Sequence, residues 1–355
     1  MLERQISLEG LEHLRGFKCL LAFSGGLDSV ALFYLLLEKN IMFDIAIVHH
    51  GLRAQADQEV AYARKLASEH AKQVYVHYVK LQGANVEACA RACRHEFFAQ
   101  LATHYDYKCV LLAHHLNDKL EWLLMQLAKG ASLQTLLGFN LLESRETAGY
   151  TYYLVRPLLY TPKSTLEHFV HTKGYTYFHD ISNDMQYFRR NAFRHGLSNA
   201  FLAIAGFSAG VRRSFKWLEQ EKNALYPPIS SFYIVGTYIF LALESRQQIY
   251  HVDQFLKKLG YVLSTKQRLE LVRQRFNAHF STQAKIYCVG ALQGFVFVGS
   301  MPHVAQQLTL PKAYKEQCRL LKIPKTMRHA LYSSKWQENL KTIEHAKLTL
   351  CVPSS

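Results

Sequence analysis

A chain of 355 residues with 49% apolar side chains is long enough for two packed domains and apolar enough to fill them. Its 42 lysines and arginines against 27 aspartates and glutamates leave a net charge of +15, which points to an anionic partner: nucleic acid, an anionic membrane face or an acidic substrate. The start of the chain is polar and charged, no apolar run reaches the roughly 18–20 residues of a membrane span, and seven scattered cysteines with no CxxC read as reduced thiols, so a disulfide scaffold and a membrane-spanning chain are excluded and a cytoplasmic protein is expected.

Short apolar runs rich in β-formers stand at 17–23, 43–49, 73–79 and 108–114, with helical stretches near 28–39, 56–71, 86–104 and 118–129. Strands alternating with longer helices predict an α/β fold: a doubly wound parallel sheet covered on both faces. Ligands of such sheets lie beyond the carboxyl ends of the strands. Both Ser24-Gly25-Gly26 and His114-His115 fall there. Residues 141–153 predict a hairpin or loop, and 155–174 a strand end and a helix stopping at Gly174. Residues 179–196 are polar, aromatic and basic with little periodicity, the mark of a functional or disordered loop. After about residue 225 come a proline break and a strand (226–243), helices (251–260 and 264–276), a β-hairpin (284–299) and a basic helix ending at Pro324. The expected organisation is an α/β domain over 1–196, a helical linker over 197–224 and a smaller α+β domain over 225–355.

The sharpest chemical signal is Ser24-Gly25-Gly26-Leu27-Asp28-Ser29, between a strand and a helix. Glycine lets the backbone approach a phosphate, and the helix N-terminus aims free N–H groups at the anion. Asp28 would repel that phosphate unless a cation stands between them, which implies Mg²⁺. The chain has no Gly-Lys dipeptide and no GxGxxG, so neither a Walker A loop nor a dinucleotide fingerprint is present.

SGGxDS after a first strand resembles the phosphate loop of the PP-loop ATP pyrophosphatases, which split ATP between its α and β phosphates to adenylate a substrate. Within that superfamily the chain resembles the tRNA(Ile)-lysidine synthases. His49-His50-Gly51-Leu52-Arg53 is similar to their HGLR element, although the family often has Asp or Asn where His49 stands. Asn85, an N-cap type of residue, opens a helix with Glu87, Arg91 and Arg94 on one face, and Asn85 to Arg91 resembles the NxExxAR element that brings Arg91 to the active site. Ala113-His114-His115-Leu116-Asn117-Asp118-Lys119-Leu120-Glu121 matches AHHxxDxxE, with Asn117 read as the helix cap and Trp122 where the family commonly has threonine. Lys129-Gly130-Ala131-Ser132 with Gly138-Phe139, and Arg156-Pro157-Leu158-Leu159, resemble two further family elements. The run from Asp180-Ile181-Ser182-Asn183 to Arg190-Asn191-Ala192-Phe193-Arg194 resembles the family's most distinctive signature, with the acid at Asp184 rather than at Met185. Residues 320–331 faintly echo a C-terminal segment.

The resemblance implies a PP-loop fold that uses ATP and Mg²⁺, takes free lysine and the CAU-anticodon tRNA(Ile), and makes lysidine. It implies ATP binding by Ser24, Gly25, Gly26, Leu27, Asp28 and Ser29, metal binding by Asp28 and Asp118, catalytic roles for these two with Arg91 and His114, and tRNA contacts from Arg190, Asn191 and Arg194. Two other readings compete. A cytidine-thiolating PP-loop enzyme should carry paired cysteines, and only Cys89 and Cys93 lie a helical turn apart. Gly206-Phe207-Ser208-Ala209-Gly210 spells the GxSxG of a serine hydrolase, which requires a strand before Ser208 and a helix after it.

Overall fold

Parallel pairing of the early strands follows from their spacing, because each is separated from the next by a helix long enough to carry the chain back across the sheet. The computed structural model describes residues 8–49, 51, 55–79, 86–147, 149–179 and 193–351. The chain divides into two units, with the boundary between Gln220 and Glu221.

In the first unit β1 (Cys19–Ala22), α1 (Leu27–Glu38), β2 (Phe43–His49), α2 (Gln55–Glu69), β3 (Val74–Tyr78), α3 (Val86–Tyr105), β4 (Cys109–Leu111) and α4 (Leu116–Leu127) follow one another. A one-turn α5 (Leu133–Leu136), the hairpin β5 (Leu142–Thr147) and β6 (Tyr150–Val155), and α6 (Lys163–Lys173) continue the unit. The strand order is β3-β2-β1-β4-β6-β5; all pairs are parallel except β5 on β6, so the polar stretch expected as a hairpin or loop is a hairpin forming the antiparallel sheet edge.

Alternate side chains of β1 feed two cores. Cys19, Leu21 and Phe23 pack with α1, α2 and α6; Leu20 packs with Phe97, Phe98, Leu101 and Ala102 of α3. Cys19 and Cys109 stand opposite each other in the β1–β4 register as buried free thiols. Gly174, at φ +67, ends α6 in the left-handed conformation that a helix stop favours in glycine.

After the segment 180–192, which lies outside the described residues, a π-helical turn (Arg194–Asn199) runs into α7 (Ala200–Ala203) and α8 (Phe207–Leu225). Ser208 therefore sits in the first turn of a helix preceded by another helix, and the strand that a nucleophile elbow needs is absent there. The hydrolase reading fails on that ground.

The second unit is a five-stranded antiparallel sheet in the order β7 (Ser231–Ile234), β8 (Thr237–Leu241), β11 (Phe295–Met301), β10 (Ile286–Leu292) and β9 (Ala278–Ser281). The single strand expected over 226–243 is two, because Val235 and Gly236 turn the chain with φ of 48 and 71. Val296 and Val298 face α9 (Ser245–Lys258) and α10 (Thr265–Arg273), while Phe297 and Met301 face α12 (Lys312–Leu320) and α13 (Trp336–Cys351), with the short α11 (His303–Gln306) between strand and helix. The 320–331 segment closes one of these cores through Ile323, Met327 and Leu331; it crosses Gly290 so closely that a Cβ there would lie 2.6 Å from Met327. Among the described residues no helix is long and apolar enough to cross a membrane.

His251, on α9, is buried against Phe240 and Tyr250, and its Nε2 has no hydrogen-bond partner among the described residues. Burial pushes its pKa from 6.5 down to about 4. The unfolded chain takes up this proton at higher pH than the folded unit does. The stabilising contribution is thus complete above pH 6.5 and is lost as pH falls towards 4. Urea titrations at pH 7.5 and 4.5 should show the wild type losing on the order of 2–3 kcal/mol more than His251→Leu. Equal losses in the two proteins would remove His251 as the cause.

Candidate active site

Two helices begin side by side at the carboxyl edge of the sheet, because β1 and β4 are parallel neighbours and each runs directly into a helix. The first start is the turn Ser24-Gly25-Gly26. Gly25 has φ +74, and a Cβ there would meet Phe178 at 3.2 Å and Glu59 at 3.4 Å, so both conformation and space favour glycine. The turn is braced from within: the hydroxyls of Ser24 and Ser29 lie 3.1 Å apart, and Ser29 donates to the Gly26 carbonyl at 2.9 Å. Gly26 is the N-cap of α1 and receives no side-chain cap, which leaves the N-terminus of that helix open to an external anion. Leu27 packs against the core beneath it.

The second start is α4. Its N-cap is His115 rather than Asn117, a correction to the expectation from the sequence. Nδ1 of His115 accepts from the Asp118 N–H at 3.3 Å, and Oδ2 of Asp118 accepts from the His115 N–H at 3.0 Å, a reciprocal capping box. Asn117 braces instead: its Nδ2 donates to Asn199 at 2.8 Å, and its Oδ1 accepts from the Lys163 N–H at 3.0 Å at the start of α6.

His115 joins the two starts. Its Nε2 is 3.6 Å from Oδ2 of Asp28, and its Nδ1 is 3.4 Å from Oδ2 of Asp118. Burial pushes the imidazole's pKa down, but the carboxylates of Asp118 and Asp28 outweigh it, so His115 lies above the ordinary histidine value. Oδ1 of Asp28 is buried and has no hydrogen-bond partner among the described residues. An orphaned carboxylate oxygen in the first turn of an uncapped helix fits a hard cation shared with a phosphate. Among the described residues no group of three or more His, Cys, Asp or Glu side chains is arranged to hold a metal by itself, which a two-carboxylate site completed by phosphate and water does not require.

The remaining expected residues are spread around this edge. His114 packs its ring against Phe139, with centroids 4.9 Å apart. Arg91 is exposed on α3; burial, with help from Arg145, Arg94 and Arg91, lowers the pKa of the nearby His95 to about 4. His49 caps Gly51 through Nδ1 at 3.2 Å and lies 3.2 Å from Asp57 through Nε2. His50, Leu52, Arg53, Asn85 and the whole run from Asp180 to Ala192, with Asp184, Met185, Arg190 and Asn191, lie outside the described residues. Arg194 opens the π-helical turn. The chain approaching this run is held at the glycine turn, where Phe178 donates its N–H to the Gly25 carbonyl at 2.9 Å.

Beneath α4 lies a feature that pattern reading missed. Lys119 is fully buried, and its Nζ reaches the carbonyls of Leu137 and Phe139 at 3.1 and 3.0 Å and Oε1 of Glu219 at 2.7 Å. Arg156 is also buried and donates to the Asn140 carbonyl and to Glu143. The same short loop holds Gly138, at φ +66, where a Cβ would lie 2.5 Å from Trp122. The indole takes the space a side chain would fill and donates to the Thr135 carbonyl at 2.7 Å, so Trp122 serves a packing purpose where the family commonly has threonine.

A family model described as a PP-loop domain matches residues 3–201. A tRNA(Ile)-lysidine synthase of Helicobacter pylori (strain J99) is 42% identical over 339 residues, covering 96% of this chain and 95% of that protein. The tRNA(Ile)-lysidine synthase of Wolinella succinogenes is 40% identical, covering 91% of this chain and 95% of its own length. That of Campylobacter jejuni (strain RM1221) is 36% identical, with 93% and 97% covered.

Lys119→Met would leave Glu219 without its cation and two loop carbonyls without their donor. A loss of about 3 kcal/mol is expected in chemical denaturation, with most of it recovered in Lys119→Met/Glu219→Gln. A double variant no more stable than the single one would show that the pair is not coupled.

Proposed function

The chain belongs to the tRNA(Ile)-lysidine synthase family, and on that premise we propose that it joins free lysine to C2 of the wobble cytidine in the CAU-anticodon tRNA(Ile), consuming ATP and releasing AMP and pyrophosphate. It is an ATP-dependent ligase that forms a carbon–nitrogen bond during tRNA modification, and its place of work is the cytoplasm. The observation that supports this reading most is the juxtaposition at one sheet edge of an uncapped helix start, a glycine turn that excludes side chains, and two carboxylates tied through one imidazole.

The chemistry follows from cytosine. Its C2 oxygen cannot leave as oxide. Transfer of the adenylyl group from ATP to that oxygen releases pyrophosphate and makes a phosphate ester. The lysine ε-amine, with a reference pKa of about 10.4, loses a proton and attacks C2; the carbon–nitrogen bond forms, the carbon–oxygen bond to AMP breaks, and AMP departs.

Ser24, Gly25, Gly26, Leu27, Asp28 and Ser29 form the turn that receives the ATP phosphates, through backbone N–H groups and hydroxyls. Asp28, through its orphaned Oδ1, and Asp118 would hold Mg²⁺, which when bound neutralises charge on the phosphate being transferred. His115 sets the separation of those two carboxylates. Arg91 and His114 are proposed to face charge on the transferred group, and Arg190, Asn191 and Arg194 to contact the tRNA. A thiolating activity has less support: among the described residues Cys89 is exposed and Cys93 half-buried on α3, and both are free.

Incubation with ATP, radiolabelled lysine and bulk bacterial tRNA, followed by nucleoside analysis, should yield labelled lysidine. Asp28→Ala and Asp118→Ala should each lower AMP formation by roughly 100-fold or more while tRNA affinity stays within about threefold. Turnover retained in either variant would remove that carboxylate from the metal site.

A further inference from the structure

We propose that the turn between α7 and α8 is a stacking platform for unpaired bases of the RNA, an assignment that rests on the tRNA-ligase reading above. Phe201 and Phe207 stand on either side of this turn with their rings 4.9 Å apart, and they are 44% and 40% exposed. Leu197 and Ile204, each 50% exposed, extend the same short segment. Gly206, at φ +80, lets the chain reverse between the two rings. The two rings are tilted 59° to one another and each remains partly open to solvent.

Charge selects the class of ligand. From Met185 to Leu218 the sequence contains no aspartate or glutamate, yet it carries Arg189, Arg190, Arg194, Arg212, Arg213 and Lys216, the last of them paired with Glu9. Aromatic faces set in an acid-free cationic stretch match single-stranded nucleic acid, whose bases stack while its phosphates pair with the cations. Position selects the part of the RNA. Asn199, two residues before Phe201, is hydrogen-bonded to Asn117 beside Asp118, so the platform is rooted on the first turn of the helix that carries the site. The bases it receives are therefore those flanking the reacting cytidine in the anticodon loop, which a loop leaves unpaired.

The test uses the full chain, a fluorescein-labelled anticodon stem-loop RNA with CAU in its loop, and a duplex RNA of matched length. Phe201→Ala and Phe207→Ala should each weaken stem-loop binding by roughly 5- to 100-fold and leave duplex binding unchanged. Trp at either position should restore stem-loop binding, whereas Leu should not. Arg213→Gln should reduce the slope of log K against log salt by about 0.7. An ATP-induced rise in melting temperature, kept in every variant, certifies the fold; if an alanine variant fails this check, the Trp and Leu pair decides. Affinity within twofold of wild type in the alanine variants, equal loss on duplex, or full rescue by Leu would each overturn the platform. If the wild type makes lysidine while these variants bind normally, the platform alone is wrong. A wild type that binds no RNA overturns the platform and the ligase reading together.

Discussion

The imidazole of His115, lying between Oδ2 of Asp28 and Oδ2 of Asp118, is the contact on which the geometry of the sheet edge turns. Parallel strands β1 and β4 deliver two helix starts to neighbouring positions, and each start carries an aspartate in its first turn. Each carboxylate is favourable toward its own helix dipole. Toward one another two carboxylates repel. The ring lies against both carboxylates, and their charge raises the pKa of His115 against the opposing effect of burial. The ring also accepts the Asp118 N–H, so the group that joins the helices caps one of them.

That arrangement needs a firm base, and α4 has one. Lys119 follows Asp118 but points into the interior, where burying an ammonium costs several kcal/mol unless its donors are satisfied. Two loop carbonyls and Glu219 satisfy them. Arg156 treats the next carbonyl, that of Asn140, in the same way. Two buried cations thus fix one loop, and that loop presents Phe139 to His114 and leaves room at Gly138 for Trp122. Three neighbouring positions of α4 therefore serve different ends: Asp118 the site, Lys119 the loop beneath it, and Trp122 the filling of the space at Gly138.

Much of this was legible in the residues. The alternation of apolar runs and helices predicted the parallel sheet, and the glycine turn marked the edge at which the site is proposed. The choice between His114 and His115 was not legible, because it depends on where β4 stops. Adjacent residues leaving a strand face opposite ways, so a shift of one residue exchanges their roles. Here the strand ends at Leu111, and α4 begins at Leu116 with His115 as its cap. Asn117 is a good capping type by composition, but tertiary bonds to Asn199 and Lys163 claim its amide. A His-x-x-Asp spacing before an apolar helix, read as a capping box, was the signal that could have found His115. The β7–β8 reversal was hidden for a related reason: Val235 takes a left-handed φ that its side chain disfavours, so nothing in its identity announces a turn.

The distribution of charge completes the picture. The protein as a whole carries +15, yet the edge proposed to receive the phosphates is lined by Asp28 and Asp118, with Glu59 against the turn and Glu121 buried on α4. Long-range attraction of a polyanion cannot come from that edge. The excess lies elsewhere: residues 221–355 hold 18 lysines and arginines against seven aspartates and glutamates, and the acid-free run between Met185 and Leu218 adds six cations. On the proposed reading the edge would bind phosphate by short-range means, through backbone N–H groups and a shared cation, which act only after an anion has arrived. In the proposed site, separating attraction from chemistry in this way would keep RNA phosphates, which cations elsewhere can satisfy, from competing with ATP for a turn whose acidic rim repels a phosphate that comes without its metal.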